Sequence, residues 1–329
     1  MKKILITGSA GFVGSHLVDY IIEKTDWKII GIDSFKHRGD SMRLQNNDRY
    51  EIITHDLSTP ISHRLIDKIG YVDYIVNMAS ESHVDRSIDH PVPFIQNNVN
   101  LVLNVLEMAR TIRPAKFIQI STDEVYGPAL DGIKHKEWAT ILPSNPYAAS
   151  KAAQEAICIS YWRTYGVPLI ITNTMNMFGE RQDPEKYIPM LISKISRGET
   201  VTVHGSEYYI GKRFYLHARN HADALLFLLE EYQPIRYEDS ESLIIPSRFN
   251  IVGEREVDNL QLARLVADFL GKDLHYELQD FHKTRPGHDR RYALSDLKLS
   301  NQGWVQPMNF EESLRRVIKW TTEHTEWMR

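Results

Sequence analysis

The sequence predicts an α/β fold in which a doubly wound parallel sheet is followed by a smaller C-terminal α/β lobe. In residues 1–174, short apolar runs typical of buried strands alternate with longer runs of helical periodicity. That alternation is typical of a parallel sheet with helices on both faces. After Asn173 the rhythm breaks, and residues 175–329 mix helices with shorter strands. We therefore expect one part over 1–174 and a second, mainly over 175–329, with some crossing back and no flexible linker.

A glycine-rich turn joins the first strand, at residues 3–7, to the first helix. Glycines at the first, fourth and seventh positions of this turn let backbone N–H groups approach a pyrophosphate, which the helix N-terminus also stabilises. A plain turn also uses glycines, but the preceding strand and the following helix favour a Rossmann-type dinucleotide site. The contacts expected here are Gly8, Gly11, Phe12, Val13 and Gly14.

The end of the second strand, at residues 28–32, predicts the choice of dinucleotide. Asp33 stands there, about 20 residues past the glycines, where an acid accepts hydrogen bonds from the adenosine ribose and repels a 2′-phosphate. NAD is therefore favoured over NADP. The nearby Lys36 and Arg38 could bind a phosphate, which keeps NADP as an alternative. Further cofactor contacts are expected after the third and fourth strands, at Asp56, Leu57, Ala79, Ser80 and Ser82.

Three polar residues, Thr122, Asp123 and Glu124, follow the fifth apolar strand at residues 117–120. Side chains at the carboxyl ends of parallel strands lie at the ligand-binding edge of such sheets. Adjacent acids are often only a solvated loop. The other groups predicted at this edge favour a functional reading.

A tyrosine and a lysine four residues apart, Tyr147 and Lys151, follow Pro146, which signals the start of a helix. This spacing places the phenol and the ammonium on one helix face. The same spacing occurs at residues 20–24 and 208–212, so the spacing alone is weak evidence. Its position after the glycine turn and the two acids favours the pair at 147 and 151.

Composition excludes several classes of function. The 329 residues are 42% hydrophobic with a formal net charge of −4 and scattered basic residues, so we expect no nucleic-acid or membrane partner. The single cysteine, Cys158, lies in an apolar helical pattern and fits a reducing compartment. The chain enters a strand without a signal peptide, so a cytoplasmic location is expected. No close-spaced histidine or cysteine set predicts a metal site.

Two long helical patterns, at residues 97–111 and 147–165, are apolar around much of their circumference. Deep burial explains this pattern. A shared face between two copies explains it as well, and we expect a homodimer.

The sequence resembles the nucleotide-sugar 4,6-dehydratases of the extended short-chain dehydrogenase/reductase class, from about residue 2 to its end. The glycine turn and the Tyr-Lys pair are common to that class, whereas adjacent Thr-Asp-Glu is much narrower. The motifs that carry the resemblance are the glycine turn, Glu81-Ser82-His83-Val84-Asp85-Arg86-Ser87, Ser121-Thr122-Asp123-Glu124-Val125-Tyr126-Gly127, Tyr147 with Lys151, Pro184-Glu185-Lys186, and Arg285-Pro286-Gly287-His288-Asp289-Arg290-Arg291-Tyr292.

The resemblance implies an NAD-dependent dehydration with a role for each group of the site. Tyr147, as phenolate, takes the C4 hydroxyl proton of the sugar during C4 oxidation, and Thr122 hydrogen-bonds the same oxygen. Lys151 lowers the pKa of the phenol and holds the nicotinamide ribose. The 4-ketone acidifies C5–H, so Glu124 removes that proton while protonated Asp123 donates to the leaving C6 hydroxyl. Reduction at C6 then yields a 4-keto-6-deoxy sugar nucleotide.

The resemblance also implies substrate contacts and leaves the nucleotide open. The expected contacts are Ser82, Thr122, Asn176, Lys186, Arg213, Asn250, Arg285 and His288. This chain departs from the family pattern at 177, at 202–204 and at 214–220, near the nucleotide end, so thymidine specificity is in doubt. An NAD-dependent sugar-nucleotide epimerase and a non-catalytic NAD-binding scaffold are the alternative functions.

Overall fold

The computed structural model describes residues 1–237, 245–280 and 289–328. The first half of the chain alternates strands and helices: β1 (Lys3–Thr7), α1 (Phe12–Lys24), β2 (Lys28–Asp33), β3 (Tyr50–Thr54), α2 (His63–Ile69), β4 (Tyr74–Asn77), α3 (Val84–Asp89), α4 (Pro91–Ile112), β5 (Lys116–Thr122), α5 (Pro146–Tyr165) and β6 (Leu169–Thr174). The second half contributes β7 (Asn176–Phe178), α6 (Tyr187–Ser196), β8 (Val201–His204), β9 (Lys212–His217), α7 (Ala218–Glu231), β10 (Ser247–Ile251), β11 (Glu256–Asp258), α8 (Asn259–Leu270), β12 (Tyr276–Gln279), α9 (Leu297–Asn301) and α10 (Phe310–Glu323). Short 3₁₀ turns cover Ser41–Arg43, Asp123–Tyr126 and Thr325–Met328.

Seven parallel strands form the main sheet, in the order β10-β6-β5-β4-β1-β2-β3. Its strands are apolar on both faces. In β1, Ile4 and Ile6 pack into the core on the side of α1 and α7, whereas Leu5 packs on the opposite side with α4. Near-continuous apolar runs are typical of parallel strands covered on both faces. The predicted Rossmann-type fold is confirmed.

The second half forms its own core and also returns to the sheet. A three-stranded sheet (β11-β9-β7) and a two-stranded sheet (β12-β8) pack with α6, α8 and α10 around a separate apolar cluster. Strand β10, however, pairs in parallel with β6, and α7 packs against α1. Residues beyond 174 therefore complete the main sheet as well as building the lobe.

Most predicted elements have counterparts, with differences at their ends. The helix predicted to start at Asn97 begins at Pro91, because proline suits the first helical turn. The three-residue strands β7 and β11 are too short to show a periodic pattern in the sequence. Within the described parts of the chain, no helix is long and apolar enough to cross a membrane.

Candidate active site

A cleft of about 610 Å³ opens at the carboxyl ends of the main strands, where the strand order reverses between β1 and β4. Open α/β sheets bind their ligands at such a reversal. Gly8, Ala79 and Thr122 line it from the sheet, and Lys186 and Thr202 line it from the lobe. The cleft therefore lies between the sheet and the lobe, within reach of both.

The glycine turn is shaped by close backbone contacts at one end of this cleft. Gly8 has a φ of +69°, a backbone conformation that residues other than glycine rarely adopt. A Cβ on Gly14 would lie 2.1 Å from the Gly8 carbonyl oxygen. The α1 N-cap, Gly11, makes no side-chain capping hydrogen bond, so the first N–H groups of α1 are open to a ligand. The turn therefore fits a pyrophosphate at the N-terminus of α1.

Asp33 and its neighbours set the charge at the adenosine end of the cleft. The Asp33 carboxylate accepts hydrogen bonds from the backbone N–H groups of Ala10, at 3.0 Å, and Phe35, at 2.9 Å. Both nearby cations have acidic partners. Lys36 Nζ lies 2.5 Å from Asp56, and Arg38 pairs with Glu185 across the cleft. Backbone N–H groups thus hold Asp33 in place. Lys36 and Arg38, the two cations that could have bound the 2′-phosphate of NADP, are paired with acidic side chains.

The remaining predicted cofactor contacts line the same cleft. They are Gly11, Phe12, Val13, Gly14, Asp56, Leu57, Ala79, Ser80 and Ser82. The hydrogen bond from Lys36 lowers the pKa of Asp56 to about 2, which keeps that carboxylate charged.

Thr122 and Asp123 stand where β5 ends and a 3₁₀ turn begins. The Thr122 hydroxyl donates to Asp123 Oδ1 at 2.9 Å and accepts from the Glu124 N–H at 3.3 Å. Asp123 Oδ2 is buried and has no hydrogen-bond partner among the described residues. Burial, followed by the charge of Glu124, raises the pKa of Asp123 to about 7. A carboxyl group with this pKa can donate a proton near neutral pH.

Glu124 is held by two side chains that the sequence did not single out for this purpose. Asn145 Nδ2 donates to Glu124 Oε2 at 3.0 Å, and the Tyr292 hydroxyl donates to the same oxygen at 3.4 Å. Burial raises the pKa of Glu124, and both hydrogen bonds oppose that rise. The sequence predicted only a helix start beside Asn145, and Tyr292 only as part of a motif, because neither residue is close to Glu124 in sequence.

Tyr147 and Lys151 lie in the first turns of α5, which Asn145 caps by accepting from the Ala148 N–H at 2.8 Å. Both line the cleft. The other two pairs with this spacing do not, because the Tyr20 hydroxyl bonds Asp223 and Tyr208 is 95% exposed. Of the three pairs with this spacing, the one at 147 and 151 therefore lies in the cleft.

The protonation state of this pair differs from expectation. Burial, followed by the charge of Glu124, raises the pKa of Tyr147 well above its usual value, and the Thr122 hydroxyl only partly opposes this. Burial lowers the pKa of Lys151 to about 8. In the protein alone, burial and the carboxylates therefore outweigh the lowering of the phenol pKa that was expected from Lys151.

The predicted substrate contacts are only partly brought together. Ser82, Thr122, Asn176, Lys186 and Arg213 line the cleft. Arg285 and His288 lie outside the described residues.

Asn250 does not line the cleft, which corrects its predicted place beside the phosphates. Its side chain is fully buried in β10 and donates to the carbonyl oxygens of His135, at 3.1 Å, and Ser295, at 3.2 Å. The segments that contain His135 and Ser295 cover β10, the terminal strand of the sheet, and their carbonyl oxygens bind the Asn250 amide there.

Comparison with known proteins agrees with this geometry. A family model described as the NAD dependent epimerase/dehydratase family matches residues 4–241. The dTDP-glucose 4,6-dehydratase of Haemophilus influenzae is 35% identical over 344 residues, which cover 97% of this chain and 98% of that protein. A trifunctional UDP-glucose 4,6-dehydratase, epimerase and reductase of Arabidopsis thaliana is 32% identical over 337 residues, 99% of this chain but 48% of that protein.

A solved structure extends the comparison to three dimensions. The crystal structure of a dTDP-glucose 4,6-dehydratase from Streptomyces venezuelae, with NAD bound, matches with a TM-score of 0.86. The two proteins are 29% identical, and the match covers 99% of this chain and 98% of the other. Because the family model matches most of the chain and a 35% identical relative covers nearly all of it, this protein belongs to the NAD dependent epimerase/dehydratase family.

Proposed function

We propose that this protein is an NAD-dependent hydro-lyase that converts a nucleoside-diphosphate glucose, dTDP-glucose or a close analogue, to the 4-keto-6-deoxy sugar nucleotide. The observation that carries the proposal is a pair of adjacent carboxyl groups, Asp123 buried and Glu124 half-buried, beside a Tyr-Lys pair in one cleft. An enzyme that only oxidises and reduces C4 needs the Tyr-Lys pair but no further acid or base. Loss of water also requires an acid and a base, and Asp123 and Glu124 supply them.

NAD fits the cleft through the glycine turn and Asp33, and when bound it supplies the oxidant for C4 and the reductant for C6. Tyr147 accepts the proton of the C4 hydroxyl while Thr122 hydrogen-bonds the same oxygen. Glu124 then removes the proton from C5, which the 4-ketone has acidified. Asp123, whose pKa of about 7 leaves about half of it protonated at neutral pH, donates its proton to the departing C6 hydroxyl, which leaves as water. Glu124 returns its proton to C5 as C6 is reduced. Tyr147 then releases the proton that it took from the C4 hydroxyl, and Asp123 regains one, by exchange with solvent, so the atoms balance and the enzyme is restored.

The nucleotide sugar is bound between the sheet and the lobe. Lys186 and Arg213 provide positive charge on the lobe side of the cleft, and Asn176 and Ser82 provide polar contacts near the sheet. At the nucleotide end, Thr202 and His204 line the cleft where the family pattern has Pro-x-Tyr. The relatives described above are named for dTDP-glucose and for UDP-glucose, and both substrates therefore belong in any test. Arg285 and His288 bind the diphosphate in this proposal.

The domain division, the oligomeric state and the location are part of the same proposal. Residues 1–174 hold the cofactor and residues 175–329 mainly hold the substrate. The protein acts in the cytoplasm, where its single buried cysteine, Cys158, stays reduced.

The protein forms a homodimer through α4 and α5. Both helices carry apolar side chains that are only partly buried, including Val99 and Ile157, which supports this arrangement.

The test is mass spectrometry of a panel of nucleoside-diphosphate glucoses incubated with the protein and NAD⁺. Dehydration lowers the substrate mass by one water, whereas epimerisation leaves the mass unchanged. A converted sugar of unchanged mass would refute the dehydratase and favour an epimerase. No conversion and no reduced cofactor with any sugar nucleotide would leave a non-catalytic NAD-binding protein.

Variants of the two acids test the mechanism. Asp123→Asn and Glu124→Gln should fold, bind NAD⁺ and still show a transient NADH absorbance with substrate. They should lose product formation by on the order of 10²–10⁴-fold, the usual loss for a missing general acid or base. Glu124→Gln should also fail to exchange the C5 hydrogen with deuterated water. Tyr147→Phe should show no NADH at all. Full dehydration by the Asp123→Asn, Glu124→Gln double variant would refute the assignment.

A further inference from the structure

A row of buried polar side chains crosses the main sheet beneath the cleft. Thr7 at the end of β1, Asn77 at the end of β4 and Gln119 in β5 are direct neighbours across the strand register. All three are fully buried. Apolar residues are expected at such positions, because burying an amide in a sheet core is unfavourable unless it is hydrogen-bonded.

This amide row, defined as Thr7, Asn77 and Gln119, is a continuous hydrogen-bond chain. Thr7 Oγ1 donates to Asn77 Oδ1 at 2.7 Å, and Asn77 Nδ2 donates to Gln119 Oε1 at 2.8 Å. Gln119 Nε2 donates to Gln154 Oε1 on α5 at 3.3 Å. Each link fixes which end of the next amide carries the donor. Gln154 must therefore present its oxygen, rather than its NH₂ group, to its neighbours.

Both ends of this hydrogen-bond chain lie at the candidate site. At one end, Lys151 Nζ donates to Gln154 Oε1 at 2.7 Å. At the other, Thr7 Oγ1 accepts the backbone N–H of Ala79, at 3.0 Å, and Ala79 lines the cleft at the predicted cofactor position. The same buried chain thus connects the lysine of the Tyr-Lys pair to the backbone expected to touch the cofactor.

We propose that Gln154 is a positioning residue for Lys151, holding its ammonium group in the cleft, and that the amide row fixes Gln154 in the orientation that does so. The inference rests on the proposed function. Lys151 has three N–H donors. Within the described residues, one goes to Gln154 and one to the Ile120 carbonyl oxygen at 2.7 Å, which leaves one to face a ligand. Two fixed bonds set the direction of the third.

The neutral acceptor matters because other charged groups surround Lys151. Glu155 lies near it on α5, whereas the nearby Cys158 is a neutral thiol because burial raises its pKa; burial also lowers the pKa of Lys151 to about 8. Glu155 is itself paired with Arg248 at 2.5 Å in the core. Tyr147 shares its helix, and Tyr147 is in turn close to Asp123 and Glu124 of the 3₁₀ turn. Gln154 therefore stabilises the charged lysine against burial without adding another negative charge to this group.

The substitution that tests this is Gln154→Met, which keeps the length and approximate volume of the side chain but removes the oxygen. The readout is the pH dependence, from pH 6 to 10, of the NADH burst on mixing with NAD⁺ and the sugar nucleotide that the wild type dehydrates. Loss of the acceptor favours the neutral amine. We expect the alkaline limb of the profile to move down by about one pH unit, the size expected for one hydrogen bond to a charged group. NAD⁺ affinity, measured by calorimetry at pH 8, should fall several-fold.

Two further variants make the result decisive. Val105→Ala opens a small cavity in the same core, on α4, and removes none of the hydrogen bonds between Thr7 and Lys151. It should lower stability but leave the alkaline limb of the pH profile in place. Gln154→Glu places a carboxyl group beside the ammonium and should move the limb up. If Gln154→Met does not fold, the direction of the Gln154→Glu shift decides.

An unchanged limb in a folded Gln154→Met protein would overturn the inference, as would an unchanged limb in Gln154→Glu when the Met variant fails to fold. A purely structural role predicts a lower melting temperature with the same pH profile. Failure of the proposed function is a separate result, since in that case the wild type itself yields no dehydrated product.

Discussion

Replacing Asp123 by asparagine should stabilise the protein at neutral pH while removing its dehydratase activity. The carboxyl group is buried, and burial together with the charge of Glu124 raises its pKa from 3.8 to about 7. In the unfolded chain this group ionises near 3.8, so between these two values the unfolded state binds fewer protons than the folded state. The free energy of unfolding therefore falls as pH rises through this window.

The magnitude follows from the size of the shift. At about 1.36 kcal/mol per pKa unit, a rise of this size corresponds to about 4 kcal/mol above pH 7 and to almost nothing below pH 4. The asparagine side chain carries no charge and can still accept the hydrogen bond from Thr122. We therefore expect Asp123→Asn to gain up to about 4 kcal/mol relative to the wild type at pH 8, and a much smaller gain at pH 4.

The assay is urea denaturation of both proteins in buffers from pH 4 to 9, at one fixed NAD⁺ concentration because bound cofactor adds stability. Asp67→Asn, an exposed substitution on α2, is the matched control and should change stability by less than about 0.5 kcal/mol. A stability difference between Asp123→Asn and wild type that is equal at pH 4 and pH 8 would refute the reasoning, because it would show that ionisation of Asp123 does not oppose folding.

Three other changes give distinct outcomes. Asp33→Ala should weaken NAD⁺ binding and narrow its advantage over NADP⁺ in calorimetric titrations, since the ribose acceptor and the repelling charge vanish together; a wild type that already prefers NADP⁺ would contradict this. Tyr292→Phe removes a hydrogen bond to Glu124, so C5 hydrogen exchange should slow while the NADH transient remains; equal slowing of both would point to a general structural effect. Ile157→Glu should convert a dimer to monomers in light scattering at micromolar concentration, and a monomeric wild type would refute the dimer.

The parts of the site that the sequence predicted are those encoded in short stretches of chain. The glycine turn and Thr122 with its two acids follow their strands directly, and the doubly wound order places strand ends together. The spacing of Tyr147 and Lys151 occurs three times in the sequence. Chain order favoured this pair, and in the fold it is the pair that lines the cleft.

The parts that were missed depend on contacts between distant segments. Tyr292 reaches Glu124 across 168 positions of sequence. Asn250 was predicted as a substrate contact, but the place of its side chain in β10 depends on the segments that cover this strand. The raised pKa of Tyr147 was not predicted, because its pairing with lysine was visible in the sequence and its depth of burial was not.

The raised pKa of Tyr147 changes how activation of the base must be understood. In the protein alone, burial and the Glu124 charge hold Tyr147 in its protonated form, so the phenol is a poor base until positive charge in the cleft outweighs them. Lys151 contributes such a charge only while it is protonated, and burial already brings its pKa to about 8. The oxidised nicotinamide ring is the other positive group that the proposed chemistry brings to this cleft. Proton removal from the C4 hydroxyl is therefore coupled to cofactor binding, and any change that neutralises Lys151 should slow oxidation before it affects the elimination at C5 and C6.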